Sequence, residues 1–122
     1  MARIEKQELI RGTLSKDALK LAQSLYSTYL LNDEEPFINT SVTKLCGMLG
    51  DISKEKLDEI FTELNEPIMI KDFSFRGKFF SQIVLQFCKY KYDGNVLQIE
   101  LSEKYLEAMK NYMLHPFLEI KH

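Results

Sequence analysis

The sequence has no tryptophan, three prolines and only two cysteines among its 122 residues. Cys46 and Cys88 lie far apart in the sequence, each among apolar neighbours, so both thiols are predicted to be buried and structural. The only histidines, His115 and His122, lie at the C-terminal end, so the chain has neither the histidine pair of a zinc site nor a base beside a thiol. We therefore expect no metal site and no cysteine nucleophile.

Motifs of common enzyme classes are also missing. The sequence contains no phosphate-binding loop, no Gly-x-Gly-x-x-Gly and no Gly-x-Ser-x-Gly. An enzyme is therefore not predicted, and neither a cofactor nor a small-molecule substrate is expected. Apolar runs last only a few residues, as at residues 83–85, and the N-terminus lacks the apolar core of a secretory signal. We expect a cytoplasmic protein that does not cross a membrane.

The composition is that of a folded globular domain. Hydrophobic residues make up 45% of the chain and charged residues 28%, which is enough apolar material for a core in a chain of this length. The length fits one domain and is too short for two conventional ones. We predict an N-terminal arm over residues 1–13 and a single domain over residues 14–122.

Four segments have the three- and four-residue apolar spacing of amphipathic helices. Ser15 is predicted to cap the first, which ends near Asn32, and Thr40 or Ser41 to cap a short second helix that stops at Gly50. Ser53 is predicted to open the third helix, and the fourth follows Ser102 and ends before Pro116. A helix, a tight turn and a helix in the middle of the chain have the spacing of a helix-turn-helix.

Strands are predicted at residues 37–39, 68–75, 79–92 and 95–101, where the apolar period shortens to two. Gly77 separates the second from the third, and Asp93-Gly94 is a hairpin signal before the last. The predicted fold class is α+β. The order of helix, short strand, helix-turn-helix, antiparallel hairpin sheet and C-terminal helix describes a winged helix.

From about Leu14 onward, the chain resembles the first winged-helix domain of the Rep-type plasmid replication initiators. The resemblance rests on residues 83–90, on the turn at residues 93–95, on the alternating strand with its serine and helix at residues 96–106, and on the short segment at residues 117–120. It implies a role in DNA replication initiation, with dimerisation and auxiliary contacts to the DNA backbone. A full initiator carries a second winged helix that reads the DNA repeats, so this chain corresponds either to a fragment or to a stand-alone relative.

Charge is distributed unevenly over the predicted elements. Residues 35–66 contain seven acidic and three basic residues, a formal charge of −4, whereas residues 67–98 contain five basic and two acidic residues, a formal charge of +3. The second helix of the helix-turn-helix would therefore repel phosphate. The candidate DNA-binding residues are Arg76, Lys78, Lys89 and Lys91. Because side chains alternate along a strand, Lys89 and Lys91 share one face and Tyr90 and Tyr92 the other.

The basic residues of the hairpin allow two interpretations. Lys89 and Lys91 either contact the phosphate backbone of double-stranded DNA weakly, or they are solvated charges that discourage strand pairing at a sheet edge. The carboxylates of Glu55, Asp58, Glu59 and Glu63 are interpreted as a solvated helix face. The leading prediction is a replication initiation domain that forms a homodimer through a sheet edge or the hairpin. The alternatives are a winged-helix protein-interaction module and a small transcriptional regulator.

Overall fold

A computed structural model of the protein describes residues 14–112, which form four α-helices and five β-strands in two antiparallel sheets. The fold class is α+β, as predicted. The predicted arm over residues 1–13 lies outside the described residues, as do His115, Pro116 and the segment at residues 117–120. In chain order the elements are α1 (Lys16–Leu31), β1 (Phe37–Ser41), α2 (Val42–Met48), α3 (Lys54–Leu64), β2 (Ile68–Phe75), β3 (Lys78–Leu85), β4 (Cys88–Asp93), β5 (Val96–Leu101) and α4 (Glu103–Tyr112).

Serine side chains mark the start of every one of these helices. The hydroxyl oxygen of Ser15 accepts a hydrogen bond of 3.2 Å from the backbone N–H of Ala18 at the start of α1. Ser41, Ser53 and Ser102 accept in the same way from the N–H three residues later, at 2.9, 3.1 and 3.1 Å. Each bond satisfies a backbone donor that has no partner within its helix. The predicted helix starts are therefore confirmed.

The first sheet, which we call sheet A, has the strand order β1-β5-β4 with both pairings antiparallel. Its hairpin turns through Gly94, whose φ of 62° lies in the left-handed region that glycine adopts without strain. The second sheet, sheet B, is the hairpin β2–β3, which turns through Arg76 and Gly77 with positive φ at both residues. Both predicted turns are confirmed.

The predicted single strand over residues 79–92 is wrong, because this stretch forms β3 and β4, which belong to different sheets. Between them Phe87 is fully buried, and its ring meets the ring of Tyr105 edge-on at a centroid distance of 5.4 Å. The carbonyl oxygen of Phe87 accepts a hydrogen bond from the N–H of Ser102 at 2.9 Å. Packing against α4 therefore takes the chain from one sheet to the other, without a glycine or proline at the break.

The core lies between the helices and the inward faces of the two sheets. Helix α1 contacts both α3 and β1, and α4 contacts β2. Cys46 and Cys88 are free thiols and are buried, as predicted. Among the methionines, Met109 is fully buried, whereas Met48 and Met69 are partly buried. The largest fully buried side chains are Tyr105, Phe61, Phe73 and Phe87.

Candidate nucleic-acid interface

The face of sheet A that points away from the core, here called the outer face, presents three rows of side chains. The register aligns Lys89, Glu100 and Phe37 in one row and Lys91, Gln98 and Asn39 in the next, with Asp93, Val96 and Ser41 nearest the turn. Lys89 and Lys91 are exposed, and the ring of Phe37 is 58% exposed. The outer face therefore combines two exposed lysines with the carboxylates of Glu100 and Asp93, amide side chains and one exposed aromatic ring.

Tyr90 and Tyr92 occupy the opposite, inner face of β4, where they contact α3. One carboxylate oxygen of Asp58 accepts hydrogen bonds from the hydroxyls of Tyr92, at 2.9 Å, and Tyr90, at 3.3 Å. The ring of Tyr90 stacks on Phe61 at a centroid distance of 4.3 Å, and the Lys54 ammonium lies 4.4 Å from the centroid of Tyr92. The predicted alternation of lysines and tyrosines is confirmed. The tyrosines are packing residues rather than a stacking surface for bases.

The contacts of the tyrosines raise their pKa values. Burial raises the pKa of the Tyr92 hydroxyl most, and the hydrogen bond and negative charge of Asp58 raise it further. Burial followed by the charge of Asp58 raises the pKa of Tyr90 as well. Both hydroxyls therefore stay protonated, as donors to Asp58, well into the alkaline range.

The turn between β4 and β5 is fixed to the start of α2 and does not project freely. The side-chain oxygen of Asn95 accepts hydrogen bonds from the backbone N–H and the hydroxyl of Thr43, at 3.3 and 3.0 Å. The carbonyl oxygen of Asn95 accepts a further bond of 2.8 Å from the N–H of Val42. The turn itself carries the carboxylate of Asp93, so its tip offers no positive charge to a phosphate.

The other two candidate residues lie on the second hairpin. Arg76 is in the β2–β3 turn, where its guanidinium donates a hydrogen bond of 3.1 Å to the Glu103 carboxylate and lies 4.8 Å from the centroid of the Phe75 ring. The charge of Arg76 is therefore paired with that of Glu103, the first residue of α4. Lys78 begins β3 and is exposed. The structure thus divides the four predicted residues between the two sheets, and brings together only Lys89 and Lys91.

Two of the four α3 carboxylates interpreted as a solvated face make hydrogen bonds to other elements. Asp58 holds the two tyrosines of β4, and Glu63 accepts hydrogen bonds of 2.7 Å from both the backbone N–H and the hydroxyl of Ser15. Glu55 and Glu59 are exposed, and Glu59 pairs with Lys56 at 3.8 Å. Glu55 and Glu59 fit the solvated interpretation, whereas Asp58, although exposed, and Glu63, which is partly buried, also bind side chains of other elements. Their partners are distant in sequence, so helical spacing could not reveal them.

A buried polar contact joins the end of α3 to the start of β4. The side-chain oxygen of Asn65 accepts a hydrogen bond of 2.8 Å from the backbone N–H of Cys88, and its amide nitrogen donates to the Cys88 sulfur at 3.4 Å. Gln86 donates to the carbonyl oxygen of Asn65 at 3.0 Å. Burial raises the pKa of the Cys88 thiol to about 11, although the hydrogen bond from Asn65 acts in the opposite direction. A thiol of this kind is protonated and inert at neutral pH.

Comparison with protein-family models, with curated proteins and with solved structures finds no match to this chain. Within residues 14–112, no three side chains of His, Cys, Asp or Glu come together in a group that could hold a metal ion. No helix in the same range is long and apolar enough to cross a membrane.

Proposed function

We propose that residues 14–112 form a winged-helix domain with an additional hairpin. The support is the order of the elements together with the pairing in sheet A. A helix, the short strand β1 and the successive helices α2 and α3 precede the hairpin β4–β5, and β1 pairs with the second strand of that hairpin. The hairpin β2–β3 is then an insertion between α3 and the winged-helix sheet.

We infer that the domain acts in DNA replication initiation in the cytoplasm, and that it contributes auxiliary, sequence-independent contacts to double-stranded DNA. The observation that carries this proposal is the exposed pair Lys89 and Lys91 on the outer face, with Glu100 opposite Lys89 and Asp93 beyond Lys91 as the neighbouring carboxylates. Exposed lysine side chains bind DNA phosphates through their charge, and each contact releases counterions from the DNA.

Helix α3 is poorly suited to direct reading of the major groove. Its exposed surface includes Glu55 and Glu59, and its contacts with Tyr90 and Tyr92 place it on the inner face of sheet A. The lysines and α3 therefore lie on opposite faces of the sheet, so one duplex cannot readily contact both. This arrangement disfavours the small transcriptional regulator and supports a domain whose DNA contacts assist recognition made elsewhere.

The phosphate contacts are tested by measuring duplex binding by fluorescence anisotropy over a series of salt concentrations. The double variant K89Q/K91Q should weaken binding. It should also reduce the magnitude of the slope of log affinity against log salt concentration by roughly two, because each lost phosphate contact releases about 0.9 fewer counterions. The control K16Q with K20Q removes the same charge from exposed positions on α1 and should leave the slope unchanged. Absence of binding at low salt, or an equal effect of the control, contradicts the proposal.

We also propose that two copies associate along β1, which is an edge of sheet A. Leu101 donates to Pro36 and Val42 donates to Asn95, so the even-numbered residues of β1 bond to β5 and the backbone groups of Asn39, between them, point away from β5. Asn39→Pro should therefore block association while leaving the pairing of β1 with β5 in place. Light scattering should then show the dimeric mass for the unmodified protein and the monomeric mass for the variant. A monomer at high concentration in both contradicts the proposed dimer.

A second candidate function, a protein-interaction module, is favoured by exposed apolar side chains. Phe37 and Val84 are 58% and 60% exposed and line one groove of about 480 Å³ between the two sheets. Exposed apolar groups gathered in a groove are typical of protein contact sites. This candidate predicts no salt-dependent DNA binding at all, so the anisotropy series separates the two functions.

A further inference from the structure

Strand β4 is the second edge of sheet A, and half of its backbone groups point away from the sheet. The N–H of Ser102 donates to the carbonyl oxygen of Phe87. Hydrogen-bonded positions alternate along an antiparallel pair, so the backbone groups of residues 87, 89, 91 and 93 point toward β5. The backbone groups of Cys88, Tyr90 and Tyr92 must then point outward. The N–H of Cys88 confirms this direction, because it donates to Asn65 rather than to β5. Among the described strands, none pairs with the outward groups of Tyr90 and Tyr92.

A groove of about 680 Å³ runs beside this edge, between β4 and the C-terminal part of α3. Its lining includes Thr62, Asn65 and Glu66 on the side of the helix and Tyr90 and Lys89 on the side of the strand. Asn65 closes the groove at Cys88, so the open part of the edge begins at Tyr90. An edge strand beside a groove that a helix bounds is the geometry in which extended peptides add to a sheet as a further strand.

The helical side of the groove is acidic. Glu63 and Glu66 line the groove, and Glu55 and Glu59 lie on the stripe of α3 that leads to its lining residue Thr62, with Glu59 paired to Lys56 at 3.8 Å. On the outer face, by contrast, the neighbours of the edge are Lys89 and Lys91. Because side chains alternate along a strand, a segment added to β4 would place every second residue beside the acids and the others beside the lysines.

We propose that the β4 edge binds an extended segment of a partner protein in which basic residues alternate with neutral or acidic ones. Its backbone pairs with the outward N–H and C=O groups of Tyr90 and Tyr92. Its basic side chains lie over the α3 stripe, and its other side chains lie beside Lys89 and Lys91. The backbone edge of β4 is distinct from the outer-face contact with DNA, although Lys89 and Lys91 border both, and the inference does not depend on the proposed DNA binding.

A second copy of the chain fits this edge less well than a basic peptide does. Pairing β4 with β4 of another molecule about a twofold axis would bring two α3 helices close together along their acidic stripes. Like charges placed opposite each other disfavour such a contact. The charge of α3 therefore favours a basic partner at β4 and leaves β1 as the edge for association between copies.

Backbone amide exchange measured by NMR tests the proposal directly. The probe is a short synthetic peptide that alternates lysine with threonine, and the comparison peptide has glutamate in place of each lysine. Adding the lysine peptide should slow exchange of the Tyr90 and Tyr92 amides. The Lys89 and Lys91 amides, which already donate within the sheet, should change little. The glutamate peptide should protect neither pair.

Charge variants give an independent readout of the same site. The double variant E59Q with E66Q should weaken binding of the lysine peptide by about fivefold, the effect expected of two exposed charge pairs. The matched double variant E34Q with E35Q removes the same charge from the exposed loop between α1 and β1 and should change affinity less than about twofold.

Several outcomes overturn the proposal. Tyr90 and Tyr92 amides that are already protected in the free protein would show that the edge is occupied. Protection that grows with protein concentration alone would assign the edge to a second copy. Protection of Asn39 instead would move the peptide site to β1, and equal binding of both peptides would remove the role of the α3 acids. None of these outcomes bears on the salt-dependent DNA binding, so failure of the two proposals can be told apart.

Discussion

The hydroxyl of Tyr92 donates a hydrogen bond of 2.9 Å to Asp58, although the two residues are 34 positions apart. The same carboxylate oxygen also receives the hydroxyl of Tyr90. One acidic side chain of α3 thus holds two side chains of β4 and fixes the hairpin against the helix. The bond also sets the faces of β4, because tyrosines that are tied to α3 leave the lysines on the outer face.

Replacing Asp58 by alanine should destabilise the protein by about 1–2 kcal/mol, since two hydroxyls lose a charged acceptor at a partly exposed site. It should also lower the pKa of Tyr92, because Asp58 is the main contributor to the raised pKa after burial. Urea unfolding and an ultraviolet titration of the tyrosines measure the two effects. Glu55→Ala removes the same charge one turn earlier at an exposed position and should stay within about 0.5 kcal/mol. Equal effects of the two variants would contradict the role of Asp58.

A second prediction concerns the contact between Glu63 and Ser15, which joins α3 to the start of α1. Ser15→Ala and Glu63→Ala should each cost about 1 kcal/mol, the first largely through loss of a helix cap. Because the two side chains bond directly, the double variant should cost less than the sum of the single variants by about 0.5–1.5 kcal/mol.

The control for this double-mutant comparison pairs Glu63→Ala with Ser53→Ala, since Ser53 caps α3 through the N–H of Lys56, at the opposite end of the helix from Glu63. Those two effects should add within about 0.5 kcal/mol. The measurement is chemical unfolding of all the variants under one set of conditions. Full additivity between Ser15 and Glu63 would show that their contact contributes nothing to stability.

Asn65 carries the third prediction. Asn65→Ala should cost about 2 kcal/mol, because the buried N–H of Cys88 loses its acceptor and its desolvation is no longer offset. Gln86→Ala removes only the exposed donor to the Asn65 carbonyl and should cost less than about 1 kcal/mol. Amide exchange at Cys88 should quicken in the Asn65 variant and stay slow in the Gln86 variant. The reverse order would show that Asn65 does not hold the start of β4.

Local signals made much of this fold predictable from the sequence. Serine followed by a helical apolar period located the helix starts at Ser15, Ser53 and Ser102, and alternation placed Lys89 and Tyr90 on opposite faces. These features depend on residues within one turn or one strand, so the nearby sequence is enough to specify them.

Features that depend on distant partners could not be predicted in the same way. The break between β3 and β4 exists because Phe87 packs against Tyr105, and nothing beside Phe87 in the sequence marks a turn. Likewise Asp58 and Glu55 look alike on a helical projection, and only the fold decides that Asp58 faces two tyrosines. The groove beside β4 is a product of such long-range packing, which is why sequence patterns gave no sign of it.

The last prediction concerns stability at alkaline pH. In the folded protein the pKa of Cys88 is raised to about 11 from its usual value of 9.0, so the folded state keeps a proton that the unfolded chain loses. Where the unfolded state binds fewer protons, stability falls as pH rises. The contribution of Cys88 is therefore present below pH 9 and is lost progressively as the pH rises from about 9 through about 11, by about 3 kcal/mol in total.

Tyr29, Tyr90 and Tyr92 act in the same direction, because each has a pKa raised above the usual value of 10.0. Their contribution starts to be lost only above about pH 10. Urea unfolding at pH 8, 9, 10 and 11 should therefore show that Cys88→Ala removes most of the decline between about pH 9 and 10 and leaves the steeper decline above it. Cys46→Ala, the control at the other buried thiol, retains Cys88 and should keep the early decline. An unchanged early decline in the Cys88 variant would assign the alkaline sensitivity to other groups.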